Sequence, residues 1–243
     1  MIYKSKKGQV SYGEAVGILL LDSSAPFIPG DVANATTYKF PVRFQKVSGF
    51  TVKKAIWKDP DVFDDLLDAA KKLECQGVRA ITGNCGYMAI HQKKLASYMK
   101  VPVFLSSLLQ IPFISSIIPE RGKIGVICAD SRSLDSSLLE SLGITGLKNI
   151  DIKGLEDKKN FYNAVIEETG TLDPGKIEKE VVATAKQMLL DEPEVNAILL
   201  ECSCLSPYGA SVQENLNLPV FDYVTMINYV YSAVVKSRFE GFM

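Results

Sequence analysis

The sequence predicts an α/β protein of two pseudo-symmetric Rossmann-like lobes, each with a mostly parallel sheet, and an active-site cleft between them. Three observations carry this expectation. Short apolar runs alternate with longer amphipathic ones, the pattern of strands separated by crossover helices. The pattern restarts after Ile117-Ile118-Pro119-Glu120-Arg121-Gly122, where proline and glycine precede a fresh apolar run. One local design also occurs twice: Leu19-Leu20-Leu21-Asp22-Ser23-Ser24 matches Ile127-Cys128-Ala129-Asp130-Ser131-Arg132. Each copy is followed by an apolar run that breaks at a cysteine, Cys85 in the first half and Cys202 in the second.

In chain order, Val16–Leu21 is an apolar run closed by an acidic-plus-serine turn, and so a buried strand. Asp61–Cys75 has helical spacing of its apolar residues and leads to a second strand at Ala80–Thr82, which stops at Gly83-Asn84-Cys85. A helix over Tyr87–Tyr98 and a strand over Val101–Leu105 complete the first repeat. The second begins with a strand at Lys123–Cys128 and a helix at Ser131–Leu142, with Gly143 just past its end. Strands at Ile150–Ile152, Ala197–Leu200 and Pro219–Phe221 follow, with helices at Lys159–Glu168, Pro174–Leu190, Pro207–Asn215 and Asp222–Lys236 between and after them. Asp173-Pro174 sets a cap before a proline at the first helical position. We expect 1–118 plus 217–243 to form the first lobe and 119–216 the second, with the last helix crossing back onto the first.

Composition narrows the function classes. In 243 residues, 47% are hydrophobic and 23% charged, ordinary for a globular chain. A net charge of −1 gives no electrostatic reason to expect nucleic acid or an anionic membrane as partner. No apolar stretch approaches the roughly 18 residues that span a bilayer, and the lysine-rich Lys4–Lys7 stretch reads as a solvated tail rather than a secretion signal. Cytoplasm is the expected compartment. Five cysteines (Cys75, Cys85, Cys128, Cys202 and Cys204) at irregular spacing then read as reduced thiols. With one histidine, His91, and no CxxC pair, a zinc site is not expected. No Gly-rich dinucleotide loop is present either, so no cofactor is expected.

The two cysteine contexts lie 117 positions apart (202 − 85) and suggest two half-sites facing one ligand. In open parallel sheets ligands gather at the carboxyl ends of strands, where helix N-termini present free N–H groups. Such an end lowers a cysteine pKa and also attracts a carboxylate. Inverting a stereocentre needs one group to remove a proton and a second to return one from the opposite face, and two facing thiols meet that geometry. Asn84, Gly86 and Tyr87 on one side, with Ser203 and Cys204 on the other, are the neighbouring donors. Asp22, Ser23 and Ser131, at matching turns of the two lobes, complete the expected substrate-binding set. Arg43 and Arg132 are weighed as partners of a second carboxylate, against the ordinary exposed role. His91, beside Gln92, Lys93 and Lys94, is expected on a solvated helix face. Cys75 and Cys128 read as small core hydrophobes.

At these residues the sequence resembles the aspartate/glutamate racemase superfamily, which includes hydantoin racemases, maleate isomerases and arylmalonate decarboxylases. Thr82-Gly83-Asn84-Cys85-Gly86-Tyr87-Met88-Ala89 looks like the first cysteine motif of that group and Glu201-Cys202-Ser203-Cys204-Leu205-Ser206-Pro207-Tyr208 like the second. Pro29-Gly30-Asp31, Phe40-Pro41-Val42 and Val220-Phe221-Asp222-Tyr223-Val224-Thr225 are similar to further family features. The resemblance implies proton transfer at carbon without pyridoxal phosphate or metal, with Cys85 and Cys202 as the catalytic acid/base pair. It thus implies an isomerase: a racemase or epimerase of an amino acid or related small carboxylate, in a group where homodimers are common. Cys204 stands where relatives often carry Asn or His, and Asn84 where Ser is frequent, which leaves the substrate open. The alternatives are a maleate-type cis–trans isomerase with a cysteine nucleophile and a non-catalytic small-carboxylate binding protein. Decarboxylation of an arylmalonate needs one cysteine only.

Overall fold

The structure is a computed structural model that describes residues 2–5, 7–145 and 149–243. Lys6, part of the lysine-rich stretch, lies outside the described residues; Lys4, Ser5 and Lys7 are exposed. Two four-stranded parallel sheets form the frame. In the first, β1 (Val16–Leu20) lies between β2 (Val42–Lys46) and β3 (Ala80–Gly83), and β4 (Val103–Phe104) is the outer strand beside β3. In the second, β5 (Lys123–Cys128) lies between β6 (Ile150–Gly154) and β7 (Val195–Leu200), with β8 (Val220–Phe221) outermost. The spatial order is therefore the same in both lobes. β1, β3, β5 and β7 are almost wholly buried, as strands covered on both faces must be.

The repeat extends to single residues. Gly17 of β1 pairs with Ile81 of β3, and Gly125 of β5 pairs with Ile198 of β7. Each glycine is where a crossover helix presses on the sheet. A Cβ on Gly17 would lie 2.9 Å from Leu73 of α2 (Phe63–Cys75), and one on Gly125 would lie 2.2 Å from Met188 of the long helix Pro174–Asp191. Cys85 and Cys202 each follow the paired isoleucine by four residues (85 − 81 and 202 − 198), so they occupy equivalent strand ends.

The remaining helices close the layers. α1 (Val52–Ile56) precedes α2, and α3 (Gln92–Tyr98) and α4 (Ile111–Ile117) flank β4. α5 (Ser136–Ser141) and α6 (Lys159–Phe161) precede the long helix, α7 (Pro174–Asp191). α8 (Gly209–Leu216) and α9 (Tyr223–Val234) end the chain's regular structure. On α2, Phe63, Leu66, Leu67, Ala69, Ala70 and Leu73 form the buried stripe, and each fully buried leucine contributes about 1.5–3 kcal/mol. Asp173 caps α7 by accepting from Lys176 N–H, and Gly143 takes φ 80° past α5, as the sequence suggests.

Three differences from expectation have local causes. β2 and the short α1 are absent from the sequence reading because Val-Arg-Phe-Gln-Lys carries no apolar run and five residues carry no helical period. The helix expected over Lys159–Glu168 breaks into α6 and a π-helical turn over Tyr162–Ile166, and Glu168 then takes φ 52°. Val220–Phe221, attached to the first lobe in the sequence reading, pairs instead with β7 in the second sheet. Beyond it α9 does pack on the first lobe, where Tyr223, Met226 and Ile227 join Val16, Ile18 and Ala80 and the Tyr223 hydroxyl donates to Leu105 C=O at 2.7 Å.

His91 also departs from the solvated face expected for it. Its neighbours on the helix are polar, but Phe50 and Phe63 from other elements cover the ring, each with its centroid 5.9 Å away. Nε2 is buried without a partner, and burial, helped by the charge of Lys94, lowers the pKa to about 4. The unfolded chain, titrating near 6.5, binds this proton first as the pH falls. The His91 contribution to stability is therefore full above pH 6.5 and is lost between about pH 6.5 and 4. Urea unfolding at pH 7 and pH 4.5 should show His91→Leu gaining on the wild type by up to about 2 kcal/mol over that interval.

Candidate functional site

A small internal cavity lies where β3 and β7 end, walled by both lobes. Leu21, Ser23, Ala25, Phe27, Val52 and Ile56 come from the first lobe, and Ala129, Val165 and Ile166 from the second. Between them lie the two cysteine segments: Asn84, Cys85, Gly86 and Tyr87 after β3, then Glu201, Cys202, Ser203 and Cys204 after β7. The enclosed volume is about 30 Å³, room for a water or two and far less than a substrate needs.

Cys85 ends an extended segment and precedes a 3₁₀ turn over Gly86–His91; Cys202 precedes the matching turn over Ser203–Tyr208. Both are nearly buried, at 9% and 7% exposure, yet both line the cavity. The Tyr87 and Met88 N–H groups turn toward the Cys85 sulfur and favour thiolate. Burial outweighs them, and with Glu201 and Cys202 close by it pushes the Cys85 pKa well up, which favours the thiol.

Cross-lobe hydrogen bonds fix this arrangement. Ser203 Oγ donates to Asn84 C=O at 2.6 Å, and Asn84 Oδ1 accepts from Leu21 N–H at 2.9 Å. The Tyr87 hydroxyl accepts from Asp130 N–H at 2.8 Å and donates to Asp130 C=O at 2.6 Å. Tyr87 thus offers the cavity its ring while its oxygen joins the lobes. Ser23 donates to Glu168, whose carboxylate also accepts from Ser24 N–H at 2.7 Å, so a first-lobe loop is latched to the segment that follows Val165 and Ile166.

Of the ten residues the sequence nominates, eight line the cavity and two do not. Asp22 is turned outward, accepting from Gly49 N–H at 2.9 Å and from Lys46 at 3.1 Å. Ser131, the counterpart of Ser23, is held by Glu156. Neither arginine reaches the cavity: Arg43 pairs with Glu14 at 2.9 Å and Arg132 with Asp130 at 2.6 Å.

Two carboxyls go beyond that set. Asp31 is buried, accepts from Ala33 N–H at 2.7 Å and faces the Cys204 thiol; burial raises its pKa to about 6. Cys204 in turn meets both Cys202 and Asp31, and its pKa is pushed well up. Glu201 is wholly buried, and neither carboxyl oxygen completes a hydrogen bond. Burial raises its pKa to about 8, against the pull of the Ala129 N–H turned toward it. Its carboxyl lies against the Cα of Gly86, where any Cβ would approach Glu201 Oε1 to 1.7 Å. The sequence signal for Glu201 was a charged residue ending an otherwise apolar strand. Among the described residues, no cluster of three or more His, Cys, Asp or Glu is arranged to hold a metal ion.

No protein-family model matches the chain. Among curated proteins it is 29% identical over 230 residues to a dimethylsulfoniopropionate lyase of Durusdinium sp. clade D, covering 92% of this chain and 76% of that one. It is 28% identical over 229 residues to dimethylsulfoniopropionate lyase 5 of Emiliania huxleyi, covering 90% of this chain but 45% of that protein. The structural neighbours are proteins of the Asp/Glu/hydantoin racemase family. An allantoin racemase from Pseudomonas fluorescens superimposes with a TM-score of 0.62 at 16% identity, covering 91% of each chain. Unliganded arylmalonate decarboxylase gives 0.58 at 13% identity, covering 93% of this chain and 94% of that one. The fold is shared with these enzymes. No helix among the described residues is long and apolar enough to cross a membrane.

The latch makes a direct prediction about access. Removing the charged acceptor with Glu168→Ala deletes hydrogen bonds to Ser23 and Ser24 worth about 1.5–3 kcal/mol in total. Alkylation of Cys85 and Cys202 by iodoacetamide, followed by peptide mass spectrometry, should then accelerate by about tenfold, the equivalent of ~1.4 kcal/mol of easier opening.

Proposed function

We propose that the chain is an enzyme that uses a cysteine of the Cys85–Cys202 cavity to take the proton beside a substrate carboxylate, and that its reaction is β-elimination from a sulfoniopropionate. The observation that carries this is the make-up of the cavity: the Cys85 and Cys202 thiols, the neighbouring Cys204 thiol and one carboxyl, with no Lys, Arg or His in the lining. A dianion such as maleate or an arylmalonate would find no cationic side chain there. Glu201 offers no counter-charge either: burial keeps its carboxyl neutral, and once ionised it would repel a second anion. A zwitterion with an apolar cationic head suits the same walls. The relatives named dimethylsulfoniopropionate lyase support this substrate class.

Mechanism follows from the bonds involved. A cysteine thiolate removes a proton from the carbon next to the carboxylate. The freed electron pair forms the Cα–Cβ double bond, the Cβ–S bond breaks, and both its electrons leave on sulfur. Products are acrylate and neutral dimethyl sulfide, and the cysteine holds the proton until it passes to solvent. A sulfonium leaves without acid assistance, so one cysteine suffices. Before the reaction the thiol must ionise. The Tyr87 and Met88 N–H groups and the arriving cation both favour thiolate over thiol. Racemisation shares this first step, which accounts for one fold serving both chemistries.

A second reading, racemisation of a small carboxylate, keeps support from one observation: both thiols, not one, line the same cavity. The two readings separate by product. Incubated with dimethylsulfoniopropionate, the protein should release dimethyl sulfide and acrylate in equal amounts. Of Cys85→Ala and Cys202→Ala, at least one should lower that rate by ~10²-fold or more, the usual scale of a lost acid/base group. Exchange of the α-proton of an L- or D-amino acid in heavy water, with no dimethyl sulfide formed, would replace elimination by racemisation. A ligand that stabilises the fold while neither reaction proceeds would make the chain a binding protein.

A further inference from the structure

Glu201 is the buried acid of the cavity, and no cation in the lining balances the charge it carries when ionised. Burying an ionised carboxylate without a partner costs several kcal/mol, so its place has to be explained by what it meets when the site is filled. The titratable groups around it are Cys85, Tyr87, Cys128, Cys202 and Tyr223, all of them acids, and none supplies a positive charge. Nor is the carboxyl free to turn away, because its oxygen is seated on the Cα of Gly86, next to Cys85.

The other side-chain oxygens of the cavity are already engaged. Asn84 Oδ1 takes the Leu21 N–H, Ser203 Oγ donates to Asn84, Ser23 is bound to Glu168, and the Tyr87 hydroxyl is bound to Asp130. A primary ammonium brings three N–H donors; even with Glu201 accepting two, the third would be left among Leu21, Val52, Ile56, Val165 and Ile166. A methylated onium has no N–H to satisfy and presents methyl groups to those same side chains, with the Phe27 and Tyr87 rings also in the wall.

We propose that Glu201 is the recognition carboxylate for a methylated onium head, a sulfonium or a quaternary ammonium of similar size, and that it selects against primary ammonium substrates. The assignment rests on the sulfoniopropionate reading for its physiological ligand, but its binding test does not need turnover. When the onium enters, the neutral Glu201 carboxyl gives its proton to solvent and the resulting carboxylate balances the charge. No bond to the ligand forms.

Titration calorimetry with trimethylsulfonium, which has no α-carboxylate proton to lose, tests this in two buffers of different ionisation heat. At pH 7 the wild type should bind it, release close to one proton, and bind methylammonium at least about tenfold more weakly. Glu201→Gln, which keeps the shape and cannot ionise, should weaken trimethylsulfonium at least about tenfold and abolish the proton release. Equal affinity in Glu201→Gln, binding without proton release in the wild type, equal binding of methylammonium, or no binding at all overturns the proposal. The proton count reads on the wild type, so the test stands even if Glu201→Gln fails to fold. Onium binding that needs Glu201, without cleavage of dimethylsulfoniopropionate, would sink the lyase reading and leave this one. Cleavage with an unchanged KM in Glu201→Gln would do the reverse.

Discussion

The ends of β3 and β7 are locked to each other, and the rest of the site follows from that junction. Ser203 Oγ holds Asn84 C=O at 2.6 Å, Ser107 Oγ holds Glu201 C=O at 2.9 Å, and the Glu201 side chain is seated on Gly86. These contacts pin the residues on either side of Cys85 and Cys202. Each sulfur is thereby positioned through its chain neighbours, with the Tyr87 and Met88 N–H groups turned toward Cys85 and the Cys204 thiol beside Cys202. Gly86 is required at this point because a carboxyl from the opposite lobe occupies the space of a side chain. The lobes are two copies of one design, yet their meeting creates a feature neither copy has alone: a buried acid facing a buried thiol.

The symmetry is close in the frame and broken at the walls. Gly17 and Gly125, the paired isoleucines and the two cysteines keep the same register in both lobes. Ser23 and Ser131 start from equivalent positions and end with different glutamates, Glu168 across the cleft and Glu156 within the second lobe. The π-helical turn over Tyr162–Ile166 has no counterpart in the first lobe, and it brings Val165 and Ile166 over the cavity. A symmetric pair of half-sites therefore becomes an asymmetric pocket, apolar on one wall and carrying Glu201 on another. Such a pocket can hold a molecule with two unlike ends in a single orientation. Its volume is about 30 Å³, and the Ser23–Glu168 hydrogen bond ties the lobes beside it.

The sequence made the frame legible because a buried parallel strand is an apolar run with a sharp end, and a cysteine at that end stands out from its surroundings. β2 escaped because an outer, half-buried strand needs no such run. His91 was misjudged from Gln92, Lys93 and Lys94, which are its neighbours along the helix; Phe50 and Phe63, which bury it, are distant in sequence. Asp22 and Ser131 were nominated by symmetry, and symmetry fails at the loops, where each lobe packs against something different. Glu201 was visible as part of a motif, but its isolation from any partner is a property of the assembled core. Arg132 is exposed and pairs with its near neighbour Asp130, while Arg43 is half-buried and pairs with Glu14, so both are occupied away from the cavity.

The proposed elimination and the alternative racemisation both begin at the acidic carbon beside a carboxylate, where the proposal places a cysteine. The account stands on Cys85 and Cys202 opening onto one shared cavity. A three-carbon bis-electrophile, applied to a Cys204→Ser background so that the nearby third thiol cannot compete, measures this directly. The account predicts one bridged peptide pair joining Cys85 to Cys202 at stoichiometric yield. Separate single adducts on the two cysteines, with no bridge between them, would contradict it.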